Sequence, residues 1–314
     1  MTGIPIFPTS NARRRAPYAL FSIVVALAVY ACHPGNREAR ELRESCETGD
    51  NAACNKLALR LQKGQYVLQD EKDAVRLLDK ACKGRVAEGC ASLGLAYQRG
   101  RGVKRDSVRA LALLRQGCEG KAMNGCAHLG VLYKKGGVGV EKDIARAATL
   151  FQQACDGKDT VGCANLGTLY AAGEGVAQDP VRAAALFKQS CDAKVALGCL
   201  GLGRYYQTGT VMPQNDSIAA DMFDKACNGQ EPEGCFRLAL AYESGDGIDQ
   251  SYWRAAQLYG EACEDKNGEA CARLAAIYAK GAGVVRDTVK ANKLKAQGCK
   301  AGYAEACDKP RPQA

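Results

Sequence analysis

The stretch GCAHLGVLYKKGGVGVEKDIARAATLFQQAC runs from Gly125 to Cys155, and near-copies of it stand on both sides along the 314-residue chain. Beyond Cys32, the cysteines alternate between spacings of eight and twenty-eight positions, once twenty-nine, so the sequence repeats with a period of thirty-six. The longer spacing falls at residues 134–143, where one loop contains an extra residue. Self-similarity at a fixed period of this size indicates a repeat protein, in which each unit needs its neighbours to cover an apolar face.

Each unit contains two patterns that predict helices. After the second cysteine of a pair, leucine follows three positions on and tyrosine seven positions on, which places both on one helical face. A small residue between them lets a neighbouring helix come close. A glycine-rich turn then ends this first helix, at Gly100, Gly136, Gly173, Gly209, Gly245 and Gly281. The residues expected to cap the second helix are Asp106, Asp143, Asp179, Asp216 and Asp287.

The repeat unit is therefore predicted to be an αα-hairpin, which cannot cover its own apolar stripe and must stack on its neighbours. The composition agrees with a helical fold, because only 6% of the residues are aromatic and 25% are charged. We expect an all-α fold, namely an α-solenoid of about seven stacked αα-hairpins.

The motifs Leu-Gly-x-x-Tyr, Gly-x-Gly-Val and Arg-Ala-x-x-Leu followed by Ala-Cys resemble the Sel-one-like (Sel1-like) repeat, a relative of the tetratricopeptide repeat. The paired cysteines resemble in particular the Helicobacter-type cysteine-rich subfamily. This resemblance covers about residues 46–307, and it implies a solenoid that binds partners on the concave surface lined by its first helices. Members of the subfamily are described as penicillin-binding or β-lactamase-like, so the resemblance also implies a hydrolase as an alternative function.

The cysteine that ends a second helix can reach two others in such a stack, one twenty-eight positions back and one eight positions ahead. Pairing over the longer separation leaves Cys46 and Cys307 without partners, whereas pairing over the shorter one uses all sixteen cysteines. The expected disulfides are Cys46–Cys54, Cys82–Cys90, Cys118–Cys126, Cys155–Cys163, Cys191–Cys199, Cys227–Cys235, Cys263–Cys271 and Cys299–Cys307. Zinc is the competing interpretation, but structural zinc ligands usually lie two to four positions apart. We therefore expect no metal and no cofactor.

The N-terminal residues have the features of an export signal. Three arginines at 13–15 precede an apolar stretch at 16–29 that is too short to span a bilayer comfortably. The stretch ends in Val-Tyr-Ala-Cys, which resembles a bacterial lipobox and predicts lipidation of Cys32. An uncleaved signal anchor or cleavage elsewhere are the alternatives. We expect a lipoprotein in the bacterial cell envelope, in the periplasm or at the outer membrane.

This interpretation divides the chain into four parts. Residues 1–31 form the signal peptide, 32–45 a tether and partial capping helix, 46–307 the solenoid, and 308–314 a C-terminal tail. Three of the 43 basic residues and none of the 34 acidic residues lie in the signal, so the remainder keeps an excess of basic residues. We expect a monomer that contacts the membrane through its N-terminal lipid and does not bind nucleic acid.

The sequence contains no catalytic motif. No serine beyond Cys32 has a lysine three positions later, so the Ser-x-x-Lys motif of serine β-lactamases is missing. Only two histidines occur, His33 and His128, which are too few for a histidine-rich zinc site. We expect no catalytic residue. A hydrolase and a passive structural protein of the envelope remain the alternatives to a binding scaffold.

The positions two, five and nine after each second cysteine share one helical face, which we call the first-helix face. Lys or Arg occupies eight of these twenty-one positions, and no acidic residue occurs among them. Cations near a helix C-terminus only offset the helix dipole, but Lys56, Arg237 and Arg273 are expected in first turns, where the dipole favours acids. A basic groove for acidic peptides or anionic envelope components is our hypothesis, and a mixed solvated face is the alternative. The predicted partner-binding residues are Lys56, His128, Asn165, Arg204, Arg237 and Arg273.

Overall fold

The computed structural model describes residues 34–137 and 139–307, and this part of the chain contains fifteen α-helices and no strand. The helices are α1 Pro34–Glu47, α2 Asn51–Lys63, α3 Glu71–Lys83, α4 Ala87–Arg99, α5 Ser107–Glu119, α6 Met123–Lys135, α7 Ile144–Asp156, α8 Thr160–Ala172, α9 Pro180–Asp192, α10 Ala196–Thr208, α11 Asp216–Asn228, α12 Pro232–Ser244, α13 Tyr252–Glu264, α14 Gly268–Lys280 and α15 Thr288–Lys300, followed by a 3₁₀ turn Ala304–Ala306. The pairs from α2–α3 to α14–α15 are seven αα-hairpins. The predicted all-α solenoid of about seven hairpins is confirmed.

Several predictions concern residues outside this part. The signal sequence, Cys32, His33 and the tail at 308–314 all lie outside the described residues. Among the helices that are described, none is both long enough and apolar enough to cross a bilayer.

Local sequence signals set the helix ends. The first helix α4 ends at Gly100, whose φ of 72° is left-handed and whose N–H donates to the carbonyl of Ala96. The second helices begin at a side-chain cap: the carboxylate of Asp143, for example, accepts a hydrogen bond from the backbone N–H of Arg146. These interactions satisfy groups that a helix leaves unpaired at its ends.

One predicted cap is wrong. Asp216 is the first residue of α11, and the cap is Asn215, whose side-chain oxygen accepts from the backbone N–H of Ile218 at 3.0 Å. The reason is geometric, because the capping side chain must reach the amide three positions further along the chain. The side chain of Asn215 stands three positions before the amide of Ile218, just as that of Asp179 stands three positions before the amide of Arg182 in α9.

The extra residue of the third hairpin forms a tight turn in its loop. Gly137 and Val140 exchange two backbone hydrogen bonds, of 2.9 and 3.0 Å. Gly136 caps α6 with a φ of 66° but a ψ of −172°, which differs from the other glycine caps. The insertion therefore remains in the loop and leaves the thirteen-residue helices on either side unchanged in length.

The described residues divide into two compact units, one up to residue 113 and one from residue 114. In the first unit, α1 to α4 enclose a core that includes Leu57, Leu78 and Leu93. In the second unit, glycines of the first helices lie against phenylalanine rings of the second helices. A Cβ on Gly130, Gly167 or Gly203 would lie 2.7 to 2.8 Å from a ring carbon of Phe151, Phe187 or Phe223, respectively. The predicted small residues thus allow the two helices of a hairpin to approach.

Eight disulfides each join cysteines eight positions apart. Six of them connect successive hairpins, Cys46–Cys54 connects α1 to the first hairpin, and Cys299–Cys307 connects α15 to the residue after the 3₁₀ turn. Their Cα atoms are 4.4 to 4.8 Å apart, within the range that a disulfide spans. In the chain-entropy account, closing a loop of this length contributes about 2.5 kcal/mol at most. Disulfides at repeat spacing belong to the predicted fold class, which the structure confirms.

Candidate partner-binding surfaces

The predicted binding residues lie on the first helices α2, α6, α8, α10, α12 and α14. Lys56, His128, Asn165, Arg237 and Arg273 each occupy the sixth position of a thirteen-residue helix, and Arg204 occupies the ninth position of α10. The helices begin three positions or more before the second cysteine. For this reason Lys56, Arg237 and Arg273 stand in the second turn rather than the first, and the expectation that the helix dipole opposes them there is wrong.

Arg237 and Arg273 are paired with acidic side chains. The Nε of Arg237 donates to Glu233 at 2.8 Å, and the Nε of Arg273 donates to Glu269 at 2.9 Å. A second nitrogen of Arg273 reaches Glu243 on the preceding first helix at 3.1 Å. Each guanidinium is therefore neutralised locally, and neither arginine offers a free positive charge to an acidic partner.

Glu243 also accepts a hydrogen bond from the hydroxyl of Tyr259 at 2.5 Å. Tyr259 is fully buried on the second helix α13, where the corresponding residues of three other hairpins are Phe151, Phe187 and Phe223. Burial, together with the hydrogen bond to Glu243, raises the pKa of Tyr259 far above its ordinary value. The raised pKa favours the protonated hydroxyl, which is the form that donates to Glu243.

Among the described residues, side-chain hydrogen bonds join neighbouring first helices at three places. The contact of Arg273 with Glu243 has a counterpart in the preceding pair of hairpins, where Arg237 donates to the side chain of Gln207 at 3.4 Å. Lys134 on α6 donates to the hydroxyl of Thr168 on α8 at 3.3 Å. Much of the polarity of the first-helix face thus serves contacts between hairpins.

The other predicted residues differ in their surroundings. Asn165 is half-buried, and its amide donates to the carbonyl of Val161 in its own helix. His128 is also half-buried. Lys56 and Arg204 are exposed and form no ion pair with any residue that the structure describes. Within the second unit, Arg237 and Arg273 are paired with acidic side chains, so Arg204 is the predicted arginine there that stands exposed without an ion pair.

A second surface lies on the other side of the hairpins, between consecutive second helices, and the sequence did not predict it. In five hairpins a cation of the second helix covers the ring of the first-helix tyrosine. The pairs, with cation-to-centroid distances, are Arg109–Tyr97 at 5.6 Å, Arg146–Tyr133 at 4.5 Å, Arg182–Tyr170 at 4.6 Å, Arg254–Tyr242 at 5.3 Å and Lys290–Tyr278 at 4.0 Å. Such stacking contributes about 0.5–1 kcal/mol at an exposed site.

The hairpin α10–α11 lacks this cation, because Ile218 occupies the position that arginine or lysine has in those five hairpins. A recess of about 690 Å³ opens here between α9 and α11, above the disulfide Cys191–Cys199. We call it the Ile218 recess. Its apolar lining consists of Cys191, Cys199, Leu202, Tyr206, Ile218 and Met222. Its polar lining includes Lys188, Asp192, Lys194 and Lys225.

Two of these rim lysines form ion pairs with aspartates one helical turn away. The Nζ of Lys188 lies 2.8 Å from Asp192, and that of Lys225 lies 2.8 Å from Asp221. Lys194, in the turn after α9, forms no ion pair within the described residues. The recess therefore combines an apolar lining with a weakly positive rim.

An equivalent recess of about 870 Å³ lies between α13 and α15, and five of its fifteen lining residues are charged. These are Glu261, Glu264, Lys266, Lys290 and Lys300. Recesses between second helices are thus a feature of the repeat, and the Ile218 recess is the more apolar of these two.

Few groups among the described residues are candidates for metal binding or catalysis. The sulfur atoms of Cys227 and Cys235 lie near the carboxylate of Glu261, but they are bonded to each other and cannot bind a metal in this state. The hydroxyl of Ser190 donates to two backbone carbonyls, that of Ser244 lies against a carbonyl and a carboxylate, and that of Ser251 caps α13. These contacts occupy the hydroxyls in structural roles, and the geometry does not support a hydrolase.

Comparison with solved structures places the chain among helical repeat proteins. The protective antigen c5321 of uropathogenic Escherichia coli, which has an SLR fold, is 25% identical, with a TM-score of 0.60 over 85% of this chain and 57% of that one. The present chain thus corresponds to little more than half of that antigen. A Sel1 repeat protein of Oxalobacter formigenes is 23% identical, with a TM-score of 0.60 over 85% of this chain and 77% of its own.

Cysteine-rich protein B of Helicobacter pylori is 31% identical over 43% of this chain and 97% of its own, with a TM-score of 0.34. No curated protein matches the sequence. Disulfides at every junction are typical of proteins that fold outside the cytoplasm, and Sel1 repeats form scaffolds that generally mediate protein–protein interactions. The Sel1 repeat family model matches seven consecutive segments, at residues 51–85, 87–121, 124–159, 160–195, 196–230, 232–267 and 268–303. Because these segments cover most of the chain, the protein belongs to the Sel1 repeat family.

Proposed function

We propose that the chain is an extracytoplasmic scaffold that binds a segment of a partner protein and is held at the membrane by lipid on Cys32. The disulfides at repeat spacing and the lipobox-like ending at residues 29–32 support this location. Sel1 repeat scaffolds bind other proteins, and this chain contains surfaces of the size that such a segment needs. The Ile218 recess is the observation that carries the proposal.

The recess is suited to a large apolar side chain. It is bounded by two helices, its lining contains Leu202, Tyr206, Ile218 and Met222, and it lies in the more rigid setting of a disulfide junction. Burying one such side chain of a partner contributes about 1.5–3 kcal/mol. Because Lys194 stands on the rim without an acidic partner of its own, an acidic residue next to the apolar anchor would bind best.

The first-helix face is the second candidate surface. Its preference for acidic partners now depends on Arg204 in the second unit and on Lys56 in the first, because Arg237 and Arg273 are already paired. Arg204 is exposed, and His128 and Asn165 stand on helices of the same unit. A partner on this face would depend on these residues rather than on a continuous positive groove.

One substitution changes the apolar lining of the Ile218 recess without disturbing the fold. Ile218→Arg recreates the arrangement of five other hairpins, in which the guanidinium or ammonium group covers the tyrosine ring twelve or thirteen positions earlier. The new side chain is expected to lie over Tyr206 and to place a charge in the apolar lining, as Lys290 does over Tyr278 in the equivalent recess. Stability should therefore stay the same or increase by about 0.5 kcal/mol.

The test uses random peptides displayed on phage and selected against the oxidised protein. We expect the selected peptides to share a large apolar residue beside an acidic one, and Ile218→Arg to weaken their binding at least tenfold. Arg204→Glu is the matched control on the first-helix face and should leave binding unchanged. Loss with Arg204→Glu alone would instead locate the site on the first-helix face, and binding unaffected by either change would refute both surfaces.

The lipid anchor and the alternatives need separate measurements. Cys32→Ser should release the protein from the membrane fraction, and continued membrane association would contradict the anchor. Nitrocefin hydrolysis that persists through purification and disappears with one serine substitution would favour the hydrolase. A passive structural protein would select no peptide and would capture no partner by crosslinking in intact cells.

A further inference from the structure

The last two hairpins expose apolar side chains at the edge formed by their loops. Trp253 is 55% exposed, Val285 87% and Val289 66%, and Tyr252 beside them is 36% exposed. Gly283 is the reason that they share one edge. A Cβ at Gly283 would lie 2.8 Å from the backbone nitrogen of Trp253 and from the Cβ of Tyr252, so the loop of the last hairpin packs on the first turn of α13.

The same edge is strongly basic. The helix α15 carries four lysines and no acidic residue. Val289 and Lys293 are one turn apart on one exposed stripe of α15, and Arg286 is exposed between the two valines. Arg286 and Lys293 form no ion pair with the described residues. We call Tyr252, Trp253, Val285, Arg286, Val289 and Lys293 the C-terminal patch.

Nearby acids do not neutralise this patch. The carboxylate of Asp287 caps α15 by accepting from the backbone N–H of Lys290. Glu261 and Glu264 follow Trp253 by eight and eleven positions, so they lie about 12 and 16 Å away along α13. The loop of the preceding hairpin rests on α11 through Gly247, which lies against Asp216. Its exposed Asp249, three positions before Tyr252, forms no ion pair with Arg286 or Lys293.

We propose that the C-terminal patch binds an anionic lipid surface. Exposed tryptophan and valine next to unpaired lysine and arginine match the two layers of such a surface, the acyl boundary and the negative headgroups. Tryptophan prefers this interface because its ring is apolar and its N–H is polar. The proposal is separate from the peptide site and from the lipid on Cys32.

The protein contains one tryptophan, which makes the test local to the patch. The full-length chain is mixed with phosphatidylcholine vesicles, with or without phosphatidylglycerol, in which the acyl chains are brominated to quench tryptophan. We expect a blue shift and quenching of Trp253 with the anionic vesicles only. The apolar residues 16–29 contain no tryptophan, so their insertion gives no direct signal, and the patch variants below separate tethering by this segment from binding by the patch.

Variants separate the patch from other routes to the membrane. Val285→Asp with Val289→Asp should abolish the quenching, and Arg286→Gln with Lys293→Gln should raise the lipid concentration for half-maximal quenching about 25-fold, since each cation contributes about a factor of five. Val181→Asp is the matched control, because Val181 is 69% exposed at the equivalent position of α9. Far-UV circular dichroism checks the fold of every variant.

Quenching that is lost with the valine pair but kept in Val181→Asp would support the proposal. Equal quenching in neutral vesicles, or quenching unaffected by either pair, would overturn it. A blue shift of Trp253 caused by polyglutamate but not by anionic vesicles would also overturn it, and would assign the patch to an acidic protein partner.

Discussion

The contact between Tyr259 and Glu243 allows a quantitative test of how the two helices of one hairpin are held together. Tyr259→Phe removes one hydroxyl from a fully buried side chain and converts the position to the residue found at Phe151, Phe187 and Phe223. No cavity larger than one oxygen atom results. The change therefore reports on the hydrogen bond to Glu243 rather than on packing.

The magnitude follows from the surroundings of Glu243. A hydrogen bond to a charged group contributes about 1.5–3 kcal/mol. The side chain of Glu243 is 27% exposed and keeps its ion pair with Arg273, so the lower end applies. We expect Tyr259→Phe to lower the free energy of unfolding by about 1.5 kcal/mol, and Glu243→Gln to lower it by about 1 kcal/mol.

The double variant should lose less free energy of unfolding than the two single variants lose together. With phenylalanine at 259 and glutamine at 243, the hairpin copies its neighbour, where Phe223, Gln207 and Arg237 stand at the corresponding positions. We expect the double variant to lose about 1.5 kcal/mol, which is a coupling of about 1 kcal/mol between the two sites.

Urea unfolding followed by Trp253 fluorescence is the appropriate assay. Trp253 is on the same helix as Tyr259 and reports on that hairpin, which matters because repeat arrays can unfold in stages. Tyr205→Phe is the matched control, because the hydroxyl of Tyr205 is buried and has no hydrogen-bond partner among the described residues. That control should not lose stability. Additive effects of the two changes, or equal losses in Tyr259→Phe and Tyr205→Phe, would refute the reasoning.

Three further predictions concern the packing, the disulfides and one half-buried acid. Gly167→Ala places a methyl group 2.8 Å from a ring carbon of Phe187 and should lower the free energy of unfolding by about 1–3 kcal/mol. Gly260 has open space around it, so Gly260→Ala should raise the free energy of unfolding by about 0.5 kcal/mol. Thermal unfolding of the two variants tests this difference. Replacing Cys155 and Cys163 by alanine should cost at most about 2.5 kcal/mol, measured in urea, and an unchanged midpoint would contradict the stabilising role of that disulfide. Burial raises the pKa of Glu231, so its ionisation opposes folding at neutral pH; Glu231→Gln should raise the melting temperature at pH 7, and this gain should vanish as the pH falls below the ordinary carboxyl pKa.

The architecture could be predicted because its signals are local. The leucine and tyrosine spacing, the glycine caps and the cysteine spacing each span less than one repeat, and each repeat contacts mainly its neighbours. Even the cap that was wrongly predicted at Asp216 was displaced by only one position, to Asn215. The register of a capping side chain is finer than the pattern of apolar residues can specify.

The binding surfaces were harder to predict. The pairs Glu233–Arg237 and Glu269–Arg273 are four positions apart and could have been found in the sequence as helical ion pairs. Each acid lies one helical turn before its arginine, outside the positions that make up the first-helix face. The contact of Glu243 with Arg273 spans thirty positions, and no local pattern indicates it.

The Ile218 recess also combines a feature that the sequence shows with one that depends on helix packing. The exception itself is visible in the sequence, since a cation follows the tyrosine by twelve or thirteen positions in five hairpins but isoleucine follows Tyr206. That the isoleucine lines a mainly apolar recess is a property of three packed helices. The side chain that covers a surface belongs to a different helix from the surface, so its effect appears only after the helices pack.

The sequence by itself determined the period, the helical hairpins and the pairing of the cysteines, because short-range spacing and a complete count of thiols leave few alternatives. Only the tertiary structure decided which charges remain available to a partner. Whether an arginine is free or neutralised depends on side chains that arrive from neighbouring helices, and their distances are set by packing rather than by separation along the chain.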